Sequence, residues 1–449
     1  MRIDARDRRI IAIGVPALAT VLIEPVYTLV DTGIVGHLGV TPLAGLALAA
    51  SVLTASFWIF NFLSFGTTSR VAFLTGRRDG RGAAGVAAQG LWIAVVVGVV
   101  VGAALAIAAP AVAGVMGGRG GVRSAAVTYL RISAIGTPFA LIALVGNGFL
   151  RGLSDTRTPL RIVLVSNVAN IVFEVALVYG AHFGVAGSAW GTVAAQALAA
   201  GWFVLLLAER IAAAGASLRP DPVELRRMAG VGQHLFVRTG ALLAALTLST
   251  SVASRLGPVP LAAHQVALQV WLFVTAALDG LAIPAQAIVG TELGAGDAVS
   301  ARAYAQRLVL LGAWVGLGVG ALLAAITPVL AGAFTSSARV AHAVVGPLLV
   351  VAALQVLDAI VFVLDGVLMG AADFAFLRVS TLSGLIVFTP VAVAVLEWHR
   401  LGLVTIWLGL VGWLLARCAV NTVRYRGERW TAIAAADAAG SAGAEVPAA

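Results

Sequence analysis

Residues 24–39 read EPVYTLVDTGIVGHLG and place two carboxylates, Glu24 and Asp31, inside an apolar run from about residue 10 to residue 35. A run of that length spans a bilayer as one helix. Seven residues separate the two acids, so on a helix they share a face about two turns apart. A charge in hydrocarbon costs roughly 2.5 to 3.5 kcal/mol on insertion scales, and such residues therefore face a bundle interior or a water-filled cavity. Asp31 is the first functional candidate; the competing reading is an acid satisfied by a neighbouring helix. Pro16 and Pro25 lie in the same run. Each removes an intrahelical donor and crowds the preceding turn, so both are expected to bend the helix.

The rest of the chain continues this theme. It is 60% hydrophobic and 11% charged, with a mean hydropathy of +1.01, well above the roughly 45 to 50% apolar content of soluble domains. The composition is that of a polytopic membrane protein. The net charge of +9 does not point to nucleic acid, because the basic residues fall at the ends of apolar runs, where membrane orientation accounts for them. Every basic residue is Arg. Without Lys there is no Walker A loop. The single Cys418 leaves no internal disulfide or CxxC pair. The six His are too scattered for a metal site, so no metal and no organic cofactor is expected. The opening MRIDARDRR reads as a cytoplasmic cap on a retained first helix, not as a cleaved signal.

Apolar runs long enough to span occur near 10–35, 43–66, 86–112, 124–149, 158–180, 185–208, 232–254, 262–290, 303–331, 341–369, 376–396 and 401–420. These give twelve transmembrane helices in an all-α polytopic protein. With the amino terminus inside, 22 of the 29 Arg lie on the cytoplasmic side and 5 outside, with Arg131 and Arg238 within helices. This bias puts both termini in the cytoplasm.

A shift of 218 residues aligns Gly39 with Gly257, Pro42 with Pro260, Asp79 with Asp297, Gly98 with Gly316, Gly102 with Gly320 and Pro110 with Pro328. It also aligns Gly148, Gly152 and Asp155 with Gly366, Gly370 and Asp373. The chain therefore divides into an amino-terminal six-helix lobe (1–208), a cytoplasmic linker (209–230), a carboxy-terminal six-helix lobe (231–430) and a disordered Ala/Gly-rich tail (431–449). An even helix count makes the halves parallel repeats, a plan known in secondary transporters with sites near the midplane.

The polar residues inside the spans fall into two sets. The first half carries Glu24, Tyr27 and Asp31, then Asn61, Asn147, Asn167, Asn170, Glu174, Thr192 and Gln196. Tyr27/Asp31, Asn170/Glu174 and Thr192/Gln196 are spaced by four, one turn apart. Acids with an Asn and a hydroxyl suit a proton or a small hard cation held between the first, fifth and sixth spans; interhelical hydrogen bonding is the structural alternative. The second half carries Gln265, Asp279 and Gln286, then Gln355, Asp358 and Asp365. Its acids suit a cationic ligand in a substrate cavity, as does Glu24, or pair with Arg238. His264 reads as a helix-end residue.

On EPVYTLVDTGIVGHLG, GNGFLRGLSDTRTPL, LAAHQVALQVW and LDGVLMGAADF, the chain resembles the multidrug and toxic compound extrusion (MATE) transporters of the DinF-like branch, over nearly its whole length. The resemblance implies a V of two six-helix lobes and export of amphipathic, often cationic compounds in exchange for protons or sodium. It implies a monomer in the cell membrane, with no enzyme activity and small-molecule and lipid partners only. It also implies Asp31 as the coupling acid, with Tyr27, Asn147, Asn170, Glu174 and Thr192 around it and Pro16 as a bending point. Glu174 stands where relatives usually carry Asp. A flippase for lipid-linked saccharides is the alternative; it would favour several Arg in a cavity. A membrane-embedded transferase or hydrolase would need a polar catalytic loop that the sequence lacks.

Overall fold

The computed structural model describes residues 4–335 and 337–432, with Leu29 described by its backbone alone. The tail expected from 431 lies outside the described residues from 433 onward. The helices are α1 (Ala5–Gly36), α2 (Val40–Phe60), α3 (Phe62–Gly76), α4 (Gly80–Val115), α5 (Gly120–Gly152), α6 (Arg157–Val175) and α7 (Val185–Ala213). They continue as α8 (Pro222–Arg255), α9 (Pro258–Gly294), α10 (Ala298–Ala333), α11 (Ala338–Gly370), α12 (Phe374–Glu397) and α13 (Gly402–Arg426). A π turn, Ala176–Gly180, extends α6, and a single 3₁₀ turn, His399–Leu401, precedes α13. Among the described residues there is no strand. Helices α2 and α3 form one span broken at Asn61, which gives 12 segments long and apolar enough to cross a membrane.

The chain gathers into two compact units. Ala19–Gly232 forms the first, and Met1–Leu18 with Gln233–Ala449 forms the second. Against sequence halves of 1–208 and 231–430, the start of α1 thus belongs with the later residues. Ion pairs hold it there. Arg307 donates from Nε and from a terminal nitrogen to the two Asp7 oxygens, both at 2.6 Å, and Arg9 reaches Glu292 at 2.6 Å. In the first unit, the connection before α8 is strapped to α4. Gln89 donates to the Arg219 carbonyl at 2.9 Å and accepts from the Asp221 amide at 2.9 Å, while Trp92 donates to the Leu218 carbonyl. Positions 89 and 307 are repeat mates, so each repeat uses the same position on its third span to grip the chain just at or before the start of a long helix.

The 218-residue repeat extends to atomic detail. A Cβ on Gly98 would fall 2.5 Å from the Pro138 Cα, and one on its mate Gly316 would fall 2.4 Å from the Gln355 carbonyl and 2.8 Å from the Val356 Cα. Gly102 and Gly320 meet the carbonyls of Ala134 and Ala352, which are also mates. These approaches let backbones touch where any side chain would separate them, the usual means of close helix packing in lipid. Gly39 and Gly257 both take φ 115 and ψ 176, a conformation that only Gly adopts without strain. Asp79 and Asp297 cap α4 and α10 by accepting from Gly82 N and Ser300 N at 2.7 and 2.8 Å.

Candidate functional site

The first unit brings together the end of α1, the end of α6 and the start of α7. Asp31 is 7% exposed, and its Oδ1 accepts from the Ser188 hydroxyl at 2.9 Å. One turn earlier on α1, the Tyr27 hydroxyl lies 3.3 Å from the Thr192 hydroxyl. Ser188, Thr192 and Gln196 are spaced by four along α7, so they form one polar stripe. Helix α6 can approach that stripe because position 191 is Gly: a Cβ there would lie 3.0 Å from both Cα and N of Glu174.

Glu174 is therefore fully buried. Asp31 and Ser188 are the polar groups that act on it, yet neither of its carboxylate oxygens has a hydrogen-bond partner. Asn170, one turn earlier and 4% exposed, also leaves its carbonyl oxygen unpartnered. Asn147 on α5 turns its amide nitrogen onto its own helix at Ala143 and leaves Oδ1 bare. The π turn follows immediately after Glu174 and Val175. Such turns insert a residue into the helical register and recur at functional sites. From it, the Tyr179 hydroxyl donates to the Ile34 carbonyl at 2.8 Å. This ties the end of α6 to the end of α1. Glu24, by contrast, is exposed.

The site is thus a buried cluster of side-chain oxygens on α1, α5, α6 and α7, in which two acids act on each other and the Glu174, Asn147 and Asn170 oxygens have no hydrogen-bond partner. It has the oxygens of a proton or small-cation site. A family model for MatE matches residues 16–176 and 241–394. The chain belongs to the MatE family.

Relatives of this MatE chain include Protein DETOXIFICATION 44, chloroplastic, of Arabidopsis thaliana, 31% identical over 92% of this chain and 81% of that protein. The DNA damage-inducible protein F of Escherichia coli is 27% identical over 92% of this chain and 91% of its own. Among solved structures, an outward-facing multidrug resistance MATE family transporter of the MOP superfamily aligns with a TM-score of 0.86 at 22% identity, covering 96% of this chain and 97% of that one. The chain is a membrane transporter by family, and its twelve-span all-α fold is that of the solved MATE structures.

The second unit of the MatE chain treats its acids differently. Asp365 is 3% exposed and accepts on Oδ2 from Arg238 at 2.7 Å and from Arg417 at 2.6 Å, and on Oδ1 from Asn421 at 2.8 Å. The pairing with Arg238 anticipated from sequence is present. Arg417, counted in sequence among the cytoplasmic ends, instead lies inside α13 at 2% exposure and stacks over Trp413 at 4.8 Å. Asp358 is fully buried and accepts from the Trp271 indole at 2.8 Å. Gln286 is buried, while Gln265 and Asp279 are half-buried. His264 is not a helix-end residue. It is fully buried in the second turn of α9, with its Nε2 3.2 Å from the Thr250 hydroxyl, and it packs on Trp407. Among the described residues no group of His, Cys, Asp and Glu is arranged to hold a metal.

Sequence reasoning missed Ser188, Tyr129, Arg417 and Asn421. Ser188 was detectable, four residues before Thr192. Tyr129 on α5 is 5% exposed and acts on Asp31, Ser188 and Thr192, but in sequence it resembles an interfacial aromatic.

Proposed function

We propose that this chain is a secondary active exporter of amphipathic organic compounds, driven by alternating access and coupled to protons through Asp31 and Glu174. The observation that carries the proposal is Glu174: wholly buried, acted on by a second carboxyl, and without a hydrogen-bond donor on either oxygen. Two buried carboxyl groups repel when both are charged, which favours proton uptake by the pair. A proton arriving from outside neutralises a charge on the pair. That relieves the desolvation cost of the buried charge and lets α1 bend at Pro16 or Pro25. Tyr27, Asn147, Asn170 and Thr192 complete the acceptor shell. The same oxygens suit sodium, the competing coupling ion.

The multidrug and detoxification names of the relatives support export of foreign amphipathic compounds, cationic ones included. The Arg distribution supports cytoplasmic termini in a cell membrane, and the chain works as a monomer. A lipid-linked flippase finds no support at its arginines. Arg131 is exposed and reaches the Ala106 carbonyl, and Arg238 and Arg417 both bind Asp365.

The test uses inverted vesicles containing the purified protein and a pH-sensitive dye, challenged with a panel of lipophilic cations with and without sodium. Wild type is expected to release protons on substrate addition, independently of sodium, and Asp31→Asn is expected to be silent. Full export by Asp31→Asn refutes the proton role. A response that requires sodium reassigns the coupling ion.

A further inference from the structure

We infer that the first unit binds the headgroup of a phospholipid bearing a primary ammonium, in a cavity among the ends of α5, α6 and α7. Asp155 takes the ammonium and Arg210 takes the phosphate. The site lies apart from the coupling residues and goes beyond the export reading.

The cavity measures about 50 Å³, and Phe149, Asp155, Thr158, Phe203, Leu206 and Arg210 are among the residues that line it. About 10 to 15 Å³ of such space holds one water, so this cavity admits an ammonium group with its adjoining carbons. The 218-residue repeat shows what the equivalent space holds in the other unit. Gly184 and Gly402, both at positive φ, stand at the starts of α7 and α13 and carry the offset past the α5–α6 connection. Asp155, Thr158 and Leu206 are thereby the mates of Asp373, Phe376 and Arg424. In the second unit those three meet: Arg424 donates from Nε to Asp373 at 2.6 Å, and its guanidinium lies over the Phe376 ring at 4.8 Å. In the first unit Leu206 is uncharged and shorter, and the cavity opens beside the same three positions. The fold leaves room for a cation where its repeat supplies one.

Asp155 is half-buried and keeps acceptor capacity for that cation. Its Oδ1 accepts from the Arg157 and Thr158 amides at 3.1 and 3.0 Å, capping α6, and its Oδ2 accepts from the Thr158 hydroxyl at 2.7 Å. A carboxylate offers about four lone-pair sites, so Oδ2 can accept again. Among the described residues no guanidinium pairs with Asp155, whereas Asp373 holds Arg424. Arg210 lines the same cavity, is exposed, and forms no ion pair among the described residues. A guanidinium of this kind suits a phosphate. One carboxylate and one guanidinium on a small cavity, not paired with each other, fit a zwitterion with its ammonium a short carbon link from its phosphate. The surface alongside favours a lipid over a free zwitterion. Leu198, Trp202 and Leu206 are spaced by four and form a stripe from the cavity toward the middle of α7. Leu198 and Trp202 are exposed, and Leu205 beside them is 72% exposed. An acyl chain lies on that stripe while the headgroup fills the cavity. Arg157 and Arg210, at this end of the unit, belong to the basic set that points to the inner leaflet.

The experiment offers the purified full-length protein an equimolar mixture of dioleoyl phosphatidylethanolamine, phosphatidylcholine and phosphatidylglycerol in detergent, and weighs the retained lipid by native mass spectrometry. Wild type should retain phosphatidylethanolamine above the other two. The trimethylated nitrogen of phosphatidylcholine has no N–H to donate to Asp155, and phosphatidylglycerol has no ammonium. Leu206→Arg supplies from within the chain the cation that Arg424 supplies in the second unit, and should bring phosphatidylethanolamine down to the phosphatidylcholine level. Asp155→Asn keeps an oxygen for the α6 cap but removes the charge, and should weaken retention about tenfold. Should either variant fail to fold, Arg210→Ala, at an exposed position, keeps the question answerable and should also weaken retention about tenfold. Wild type without a preference for phosphatidylethanolamine overturns the proposal, as does Leu206→Arg or Arg210→Ala with the wild-type preference. Excess free phosphoethanolamine should leave the lipid bound; its displacement of the lipid overturns the lipid assignment in favour of a soluble zwitterion.

Discussion

Removing the Asp365 carboxylate is expected to destabilise the second unit more than removing its neutral partner Asn421. In wild type a single carboxylate, 3% exposed, receives hydrogen bonds from Arg238, Arg417 and Asn421. Asp365→Ala strands two guanidinium groups. The Arg417 side chain is only 3% exposed and cannot rehydrate, whereas Arg238 at 11% partly can. Breaking a buried pair by deleting one member costs about 3 to 5 kcal/mol, and the orphaned Arg417 places Asp365→Ala in that range. Asn421→Ala leaves the carboxylate with both arginines and forfeits one hydrogen bond to a charged group, about 1.5 to 3 kcal/mol. Adding Arg417→Met to Asp365→Ala removes the stranded charge, so the double variant should be more stable than Asp365→Ala alone. That is a strongly non-additive cycle. The assay is the fraction of purified protein that remains monodisperse in detergent after heating. An Asp365→Ala protein no less stable than Asn421→Ala, or a double variant that simply adds the two losses, would refute the view of Asp365 as the hub of a buried charge cluster.

Two further outcomes follow from the repeat. Gly316→Ala should destabilise by about 1 to 3 kcal/mol through overpacking, because its Cβ would fall 2.4 Å from the Gln355 carbonyl. Gly318→Ala, two residues on and with nothing within 4 Å, should be neutral or gain up to about 1 kcal/mol from helix propensity; the same heating assay ranks them. Asp297 is held below the ordinary carboxylate range by the backbone amide of Ser300 that it caps. Because the folded-state carboxyl is depressed, its contribution is present above the unfolded value and lost as pH falls through the folded one. Hydrogen exchange at the first turn of α10 should therefore be faster in Asp297→Ala than in wild type at neutral pH, and the difference should disappear in acid.

The sequence by itself determined the membrane class, the twelve spans, the 218-residue repeat and the acids worth testing. Each of these is a linear property. Hydropathy over about 20 residues reports a span, a constant offset reports duplication, and a carboxylate in an apolar run is costly wherever the helix turns. What the linear pattern leaves open is the rotation of each helix and how closely its neighbours approach. Tertiary structure alone decided that Gly191 lets Glu174 sink against the α7 stripe and that Glu24, near-eclipsed with Asp31 on an ideal helix, ends up exposed. It also decided that Arg417 travels from an apparent cytoplasmic end into the core, where it joins Asp365. The α1 start falls with residues nearly 300 positions away because Asp7 and Arg9 find Arg307 and Glu292 there. Ion pairs and glycine contacts of this kind act over a few ångströms between segments far apart in the chain, so no local window of sequence carries them.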